Sequence, residues 1–265
     1  YSKQMKNILI IYPSWESRSY SGFLRDLKKT NFTDALIVRN TTHHCDVTEK
    51  QICQITQKCT EKNINSNYLD ISSDVINNWR TIESTIKTLV SQEDIVTIDI
   101  TTMSRNIVWS ILYFLKVKIK NVDVVYHQPE AYKNAWICRE PEQPRLLLKH
   151  SGIYDLSQKT TLILVTGFDE ERTKYMLYKY EPQKVYLLVQ DGEQFDNLQR
   201  NNEDIHRIVC EDFGLNKDSI ISRSINSYSQ DFGFDTIESV IEEEHLSNII
   251  LASFGPKPSA IAAYR

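Results

Sequence analysis

Two polar loops in the first half of the chain carry residue types that bind anions. Each follows an apolar run, and the candidate ligand-binding residues are Ser14, Trp15, Glu16 and Arg18 in one loop and Asp99, Thr101, Thr102, Ser104 and Arg105 in the other. Hydroxyl groups and a guanidinium at the start of a helix suit a phosphate, because the helix N-terminus adds unpaired N–H groups and the positive end of its dipole. The spacing therefore predicts an anion site built from these loops.

Both loops have counterparts about 150 residues further along the chain. The candidate ligand-binding residues of the second pair are Gly167, Phe168, Glu170 and Arg172 in one loop and Gly255, Lys257 and Ser259 in the other. The tetrapeptide at 81–84 also recurs at 236–239. Such a period is too long for a solenoid repeat and predicts two copies of one domain. We expect a first Rossmann-like unit at 1–150 and a second at 151–265, truncated at its C-terminal end.

Short apolar runs between amphipathic, helix-like segments predict the elements that position these loops. The predicted strands are 8–12, 35–38, 68–71, 95–99 and 122–126 in the first half and 162–165, 185–189, 219–222 and 248–252 in the second, with a strand-like run at 145–149 inside the linker 139–156. This alternation indicates an α/β fold of two duplicated Rossmann-like domains with mainly parallel sheets, related by a pseudo-twofold axis. In the strand order 3-2-1-4, the first and fourth strands are neighbours, so their loops face one crevice.

The charged residues after the first strand of each half have two alternative roles. Glu16 and Arg18 either form an ion pair that fixes the loop, or the arginine binds the ligand while the glutamate orients it. The same alternatives hold for Glu170 and Arg172.

Other loop residues have similar alternatives. Trp15 and Phe168 either stack on a base or cover the edge of the sheet. Asp99 is expected to face the crevice, where it binds a hydroxyl or holds Arg105. Gly255 would let the backbone approach a ligand closely, and Ser104 and Ser259 are expected to cap the helices that follow them. The plainest alternative for all these loops is an ordinary strand-to-helix turn.

The residues that could act as a catalytic acid or base are Glu16, Glu170 and His127. No Walker A or GxSxG motif occurs in the chain. The run at 43–46 contains two histidines and a cysteine, but the spacing of Cys53 and Cys59 is not that of a zinc site, so we expect no metal. We also expect no cofactor.

Composition excludes several classes of partner. The net charge of −4 and the pI near 5.9 provide no basic field for duplex nucleic acid. No apolar run approaches the roughly 20 residues that span a bilayer, so we expect no membrane partner. Five scattered cysteines argue for a reducing compartment and a cytoplasmic location.

The loops after the fourth strand resemble those of CARF domains, the nucleotide-sensing domains of CRISPR-associated and other antiviral effectors. The CARF loop often reads Asp-x-Thr-Gly-Gly-Thr-Lys-x-Met, and 99–105 and 255–257 look like diverged versions of it. The first copy lacks the two glycines and has arginine for lysine, and the second lacks the aspartate. Two copies in one chain resemble the related SAVED domains.

The resemblance implies a nucleotide-sensing regulatory protein of a prokaryotic defence or stress system. It would bind an anionic nucleotide, such as a cyclic oligonucleotide, between its two halves and would act on an effector or partner protein. One alternative is a nucleotide-processing enzyme, a phosphodiesterase or glycosidase. Another is a ligand-free scaffold subunit of a defence complex.

Overall fold

The computed structural model describes residues 5–42, 46–129, 144–191 and 203–265. The chain divides into two compact units, Tyr1–Gln128 (unit 1) and Pro129–Arg265 (unit 2). This division precedes the boundary that we predicted at residue 150. Residues 43–45, from the histidine-containing run considered above, lie outside the described residues, as do the first residues of the predicted linker.

Unit 1 is a parallel sheet of five strands with a helix after each of the first four. Its elements in chain order are β1 (Asn7–Ile11), α1 (Arg18–Lys29), β2 (Asp34–Asn40), α2 (Asp46–Glu61), β3 (Asn65–Ile71), α3 (Val75–Leu89), β4 (Ile95–Asp99), α4 (Arg105–Lys118) and β5 (Val122–Val125). The strand order is β3-β2-β1-β4-β5, and all the pairs are parallel.

Helices on a parallel sheet explain the continuous apolar runs of the central strands. Residues of β1 and β2 are buried on both faces, as expected where crossover helices cover a sheet. One core cluster joins Leu9 and Ile37 of the sheet to Phe23 of α1 and Ile55 of α2. This packing fixes β1, and the parallel pairing of β4 with β1 places the carboxyl ends of both strands, from which the two predicted loops emerge, side by side.

Unit 2 repeats the first four strands of this plan. Its elements are β6 (Thr160–Val165), α5 (Glu170–Tyr180), β7 (Lys184–Gln190), α6 (Glu203–Asp212), β8 (Ile220–Ile225), α7 (Phe234–Glu243), β9 (Asn248–Ser253) and α8 (Ser259–Tyr264), with a short 3₁₀ helix at Lys217–Ser219. The strand order is β8-β7-β6-β9, again with parallel pairs. The predicted α/β class, the parallel sheets and the order 3-2-1-4 in each half are confirmed.

The strand predicted at 145–149 is wrong. These residues form an irregular segment and a turn. Leu146 remains 60% exposed, and Lys149 has a φ of 63°, a left-handed conformation that interrupts an extended segment. Within the described residues, the structure contains no helix both long enough and apolar enough to cross a membrane.

Candidate ligand site at the strand ends

The crossover connections reverse direction beside the first strand of each unit. In unit 1, β1 lies between β2 and β4, and in unit 2, β6 lies between β7 and β9. Ligands of open α/β sheets bind at such a switch point, outside the carboxyl ends of the strands. The two loops of unit 1 meet there, because the Thr102 hydroxyl donates a hydrogen bond of 2.5 Å to the carbonyl oxygen of Tyr12.

Arg18 joins the first loop to the end of β5. Its Nε donates to Glu16 Oε2 at 2.7 Å, and its Nη1 donates to the His127 carbonyl oxygen at 3.1 Å. Nη1 also lies 3.4 Å from the Tyr126 hydroxyl. Burial would lower the pKa of Arg18, but the Glu16 carboxylate and the Tyr126 hydroxyl raise it above its usual value. Arg18 and Glu16 thus form the fixing ion pair, while their contact with a ligand stays a prediction.

The two remaining candidate residues of this loop differ in role: Ser14 belongs to the turn, and Trp15 carries an exposed aromatic ring. The Glu16 N–H donates to the Ser14 hydroxyl at 3.1 Å, and the Ser14 N–H donates to the Ser19 hydroxyl at 3.4 Å. Ser14 therefore stabilises the turn. Trp15 is 48% exposed, so its ring can still receive a base.

Asp99 lies beneath the second loop, and its predicted orientation towards the crevice is wrong. The residue is only 2% exposed, and its Oδ1 accepts a hydrogen bond of 2.8 Å from the Thr101 N–H. Thr101 is also buried, and its hydroxyl oxygen accepts a hydrogen bond of 2.9 Å from the His127 N–H. Burial raises the pKa of Asp99 to about 6, although Thr101 and His127 act to lower it. Asp99 is buried because it closes the turn that leads into α4.

The N-terminus of α4 is the part of unit 1 most suited to an anion. Ser104 is the N-cap and is exposed, and within the described residues its hydroxyl makes no capping hydrogen bond. Arg105 is the first helical residue and is half-buried. No acidic residue occurs in the first turn of this helix of 14 residues. Backbone N–H groups, an exposed serine and an arginine residue therefore begin this helix at the switch point.

Of the two alternatives for Glu170 and Arg172, the structure does not support the ion pair, because Arg172 pairs with Asp169 instead. Arg172 Nε donates to Asp169 Oδ2 at 2.9 Å. Helix α5 begins at Glu170, and Asp169 is its N-cap, three residues before the arginine. Residues three apart share a helix face, whereas residues two apart do not. The Arg172 guanidinium also lies 5.9 Å from the centre of the Phe254 ring, and Phe168 is half-buried.

The glycines of unit 2 leave room for neighbouring protein atoms. A Cβ on Gly167 would lie 2.4 Å from the Phe254 carbonyl oxygen, and one on Gly255 would lie 2.7 Å from Gln190 Nε2. The two loops of unit 2 therefore pack directly on each other. A role for either glycine in approaching a ligand stays a prediction.

Ser259 does not cap the last helix, contrary to our prediction. Pro258 is the N-cap, and Ser259 is the first helical residue and fully buried. Its hydroxyl donates to the Pro256 carbonyl oxygen at 2.7 Å and lies 2.6 Å from the Ser253 hydroxyl. Lys257 is half-buried and precedes the helix, whereas Arg105 begins α4, so the two cations occupy different positions.

Sequence reasoning missed a polar clamp that occurs in both units. In unit 1, Ser19 of α1 donates to Gln51 Oε1 of α2, and Gln51 Nε2 donates to the Glu16 carbonyl oxygen at 3.2 Å. In unit 2, the Thr173 hydroxyl lies 2.9 Å from His206 Nδ1, whose Nε2 lies 2.7 Å from the Gly167 carbonyl oxygen. The similar spacing of these polar pairs, 32 residues in unit 1 and 33 in unit 2, is the signal that could have revealed the clamp.

The catalytic candidates occupy different environments. Glu16 is held by Arg18 and Glu170 lies in the first turn of α5. His127 is 8% exposed, and its Nε2 lies 3.0 Å from Asp26 Oδ2. Asp26, Asp99 and His127 each offer one ligand atom for a metal, and these atoms lie within 4.8 Å of one another. A catalytic role for Glu16, Glu170 or His127 stays a prediction.

Comparison with known proteins gives only distant likenesses. No protein-family model matches the chain, and no curated protein matches its sequence. A universal stress protein from Archaeoglobus fulgidus DSM 4304 aligns over 98% of this chain and 93% of its own, with 13% identity and a TM-score of 0.27. A type I 3-dehydroquinate dehydratase from Clostridium difficile, with covalently modified comenic acid, aligns over 95% and 86%, with 11% identity and a TM-score of 0.20. Alignments at these scores carry no information about what the chain binds.

Proposed function

We propose that the chain is a nucleotide-sensing regulatory protein that binds the phosphate of an anionic nucleotide at the start of α4 in unit 1. The observation that carries this proposal is the exposed N-terminus of α4 at the switch point of the sheet. Ser104 and Arg105 lie at that terminus, next to the carboxyl end of β4. Helix N–H groups provide hydrogen bonds to phosphate oxygens, and the guanidinium provides charge.

Charge at the helix after the first strand favours a phosphate in unit 1 over one in unit 2. The first turns of α1 and α4 contain no acidic residue. Helix α5, the counterpart of α1, begins with Glu170 and Glu171, and Asp169 precedes them. These carboxylates already complement the helix dipole and would repel an anion. We therefore narrow the expectation of a ligand bound between the two halves to a principal phosphate site in unit 1.

The ligand class and the setting come from the resemblance to CARF and SAVED domains. A cyclic oligonucleotide or a dinucleotide would place its phosphate at α4 and a base on the exposed face of Trp15. Binding would favour one conformation of the chain and so act on an effector or partner protein. A prokaryotic defence or stress pathway is the setting that this role suits.

A thermal-shift screen tests the proposal directly. The purified chain is heated with inorganic phosphate, mononucleotides, dinucleotides and cyclic oligonucleotides, because a ligand that binds the native state raises the melting temperature. We expect a rise with one nucleotide class. Arg105→Ala should weaken that binding about 10- to 100-fold, which is the value of a lost charged hydrogen bond.

Lys116→Ala is the matched control, because Lys116 is an exposed cation of the same helix, far from its N-terminus. No shift with any nucleotide, or equal loss of affinity in both variants, would reject the proposed site. Product analysis of the same mixtures separates a sensor from an enzyme. Turnover of the bound nucleotide would favour the phosphodiesterase or glycosidase alternative.

A further inference from the structure

Three polar side chains from separate elements of unit 1 meet beneath the ligand loops. Asp26 comes from the last turn of α1, Asp99 ends β4, and His127 follows β5. Each offers one ligand atom, and the three atoms lie within 4.8 Å of one another. Neither Asp26 nor His127 contributes to the anion site proposed above. Buried charged groups are costly unless they are paired or coordinate a metal, so the cluster requires an explanation.

We propose that Asp26, Asp99 and His127 bind a single divalent transition-metal cation, Zn²⁺ or Mn²⁺. An imidazole nitrogen with two carboxylate oxygens is a donor set for these ions, and the nitrogen makes Ca²⁺ and Mg²⁺ poor occupants. Two carboxylates and a neutral imidazole would also balance the charge of the cation, which a buried site needs.

An oxygen of Asp99 supports the proposal independently of the clustering. Asp99 Oδ2 is buried and has no hydrogen-bond partner among the described residues. Its other oxygen is already bound to the Thr101 N–H. A buried acceptor without a partner costs about 1–3 kcal/mol, and more for a charged group. A cation within reach of Oδ2 would remove that cost.

The distances require only small movements of the side chains. His127 Nε2 and Asp26 Oδ2 are 3.0 Å apart, which suits two ligands of one cation. Ligand atoms held about 2.1 Å from a metal lie about 3–4 Å from each other, and the three atoms of the cluster all lie within 4.8 Å of one another.

The surroundings of His127 and Asp99 hold the donors in place. Thr101 is bound to both, since its N–H donates to Asp99 and its hydroxyl accepts from the His127 N–H. A Cβ on Gly22 would lie 2.3 Å from the His127 ring, so the glycine provides the space in which the imidazole sits. Residues that orient metal ligands in this way usually affect metal affinity strongly.

Titration of metal-free protein with Mn²⁺ and Zn²⁺, followed by calorimetry, tests the proposal. We expect one equivalent to bind and to raise the melting temperature. Asp99→Asn should weaken binding about 100-fold. The variant retains an acceptor for the Thr101 N–H, so it should fold. Asp123→Asn, at an exposed position of β5, is the matched control.

Binding to a different part of the chain would give a different result. Cys53 is an exposed thiol, and Zn²⁺ held by cysteine would persist in Asp99→Asn. Substitution with Co²⁺ distinguishes the two, because a thiolate ligand adds a charge-transfer absorption band and oxygen and nitrogen ligands do not. The proposal would be overturned if neither cation binds the wild-type protein. It would also be overturned if Asp99→Asn binds with undiminished affinity, or if the Co²⁺ protein shows a thiolate band. If Asp99→Asn does not fold, Asp26→Asn provides the same comparison.

Discussion

The two units share a strand order but differ in the residues at the ends of equivalent strands. β4 ends in Asp99 and leads to Arg105 at the start of a helix of 14 residues. β9 ends in Ser253 and leads to a helix that begins with buried Ser259. The comparison teaches that the scaffold and its polar clamp are present twice, whereas the anion site that we propose uses residues of unit 1.

The largest effect on stability is expected at the contact between the two loops of unit 2, where Gly167 lies against Phe254. Gly167→Ala would place a Cβ 2.4 Å from the Phe254 carbonyl oxygen, and backbone atoms cannot move aside cheaply. We expect the free energy of unfolding to fall by about 3 kcal/mol, measured by urea denaturation. Gly152→Ala is the control, because among the described residues no atom lies within 4 Å of its Cβ position. Equal stability of the two variants would contradict the loop contact.

A buried acidic network at the opposite end of unit 2 gives the next effect. Burial raises the pKa of Glu244, but hydrogen bonds from Lys184, Tyr186, Thr161 and Ser247 lower it to about 2. The lowered pKa stabilises the fold fully above pH 4.5, and this stability is lost as the pH falls from 4.5 towards 2. Glu244→Gln should lower the free energy of unfolding by about 2–3 kcal/mol at neutral pH. It should also make that free energy less dependent on pH in the acid range.

Glu242→Gln is the matched control for that experiment, since Glu242 is an exposed residue of α7, the helix whose C-cap is Glu244. Its unfolding curve should stay close to that of wild-type protein, because exposed carboxylates contribute little. If both variants lose stability in the same way as the pH falls, Glu244 is not the residue responsible for that loss.

A smaller effect of opposite sign is expected for Asp99→Asn in metal-free protein. The substitution removes a buried carboxylate and keeps the acceptor for Thr101, so the free energy of unfolding should rise by about 1 kcal/mol at neutral pH. Thermal unfolding with a chelator present measures it, with Asp123→Asn as the reference. A clear loss of stability would show that Asp99 is stabilised as an anion without any metal.

The scaffold was predictable because its signals are local. Buried parallel strands read as continuous apolar runs, and the repetition of loops indicated the same strand order in both halves. The run at 145–149 has the same apolar character but forms no strand, since apolar composition does not supply a neighbouring strand with which to pair.

The polar contacts were less predictable because they depend on helix starts and on distant residues. Helix α5 begins at Glu170, which makes Asp169 the N-cap and the partner of the arginine. Asp26 and His127 are 101 residues apart in sequence. Asp26 lies in an amphipathic helix with many charged residues, so no pattern marked it as buried.

The central claim, that the anion site belongs to unit 1, is tested most directly by calorimetric titration of three proteins with the nucleotide that the thermal screen selects. The proteins are wild type, Arg105→Ala and Arg172→Ala, so that each unit loses one cation from its strand-end loops. We predict one binding event, weakened about 10- to 100-fold by Arg105→Ala and little changed by Arg172→Ala. Full affinity in Arg105→Ala, or greater loss in Arg172→Ala, would contradict the account.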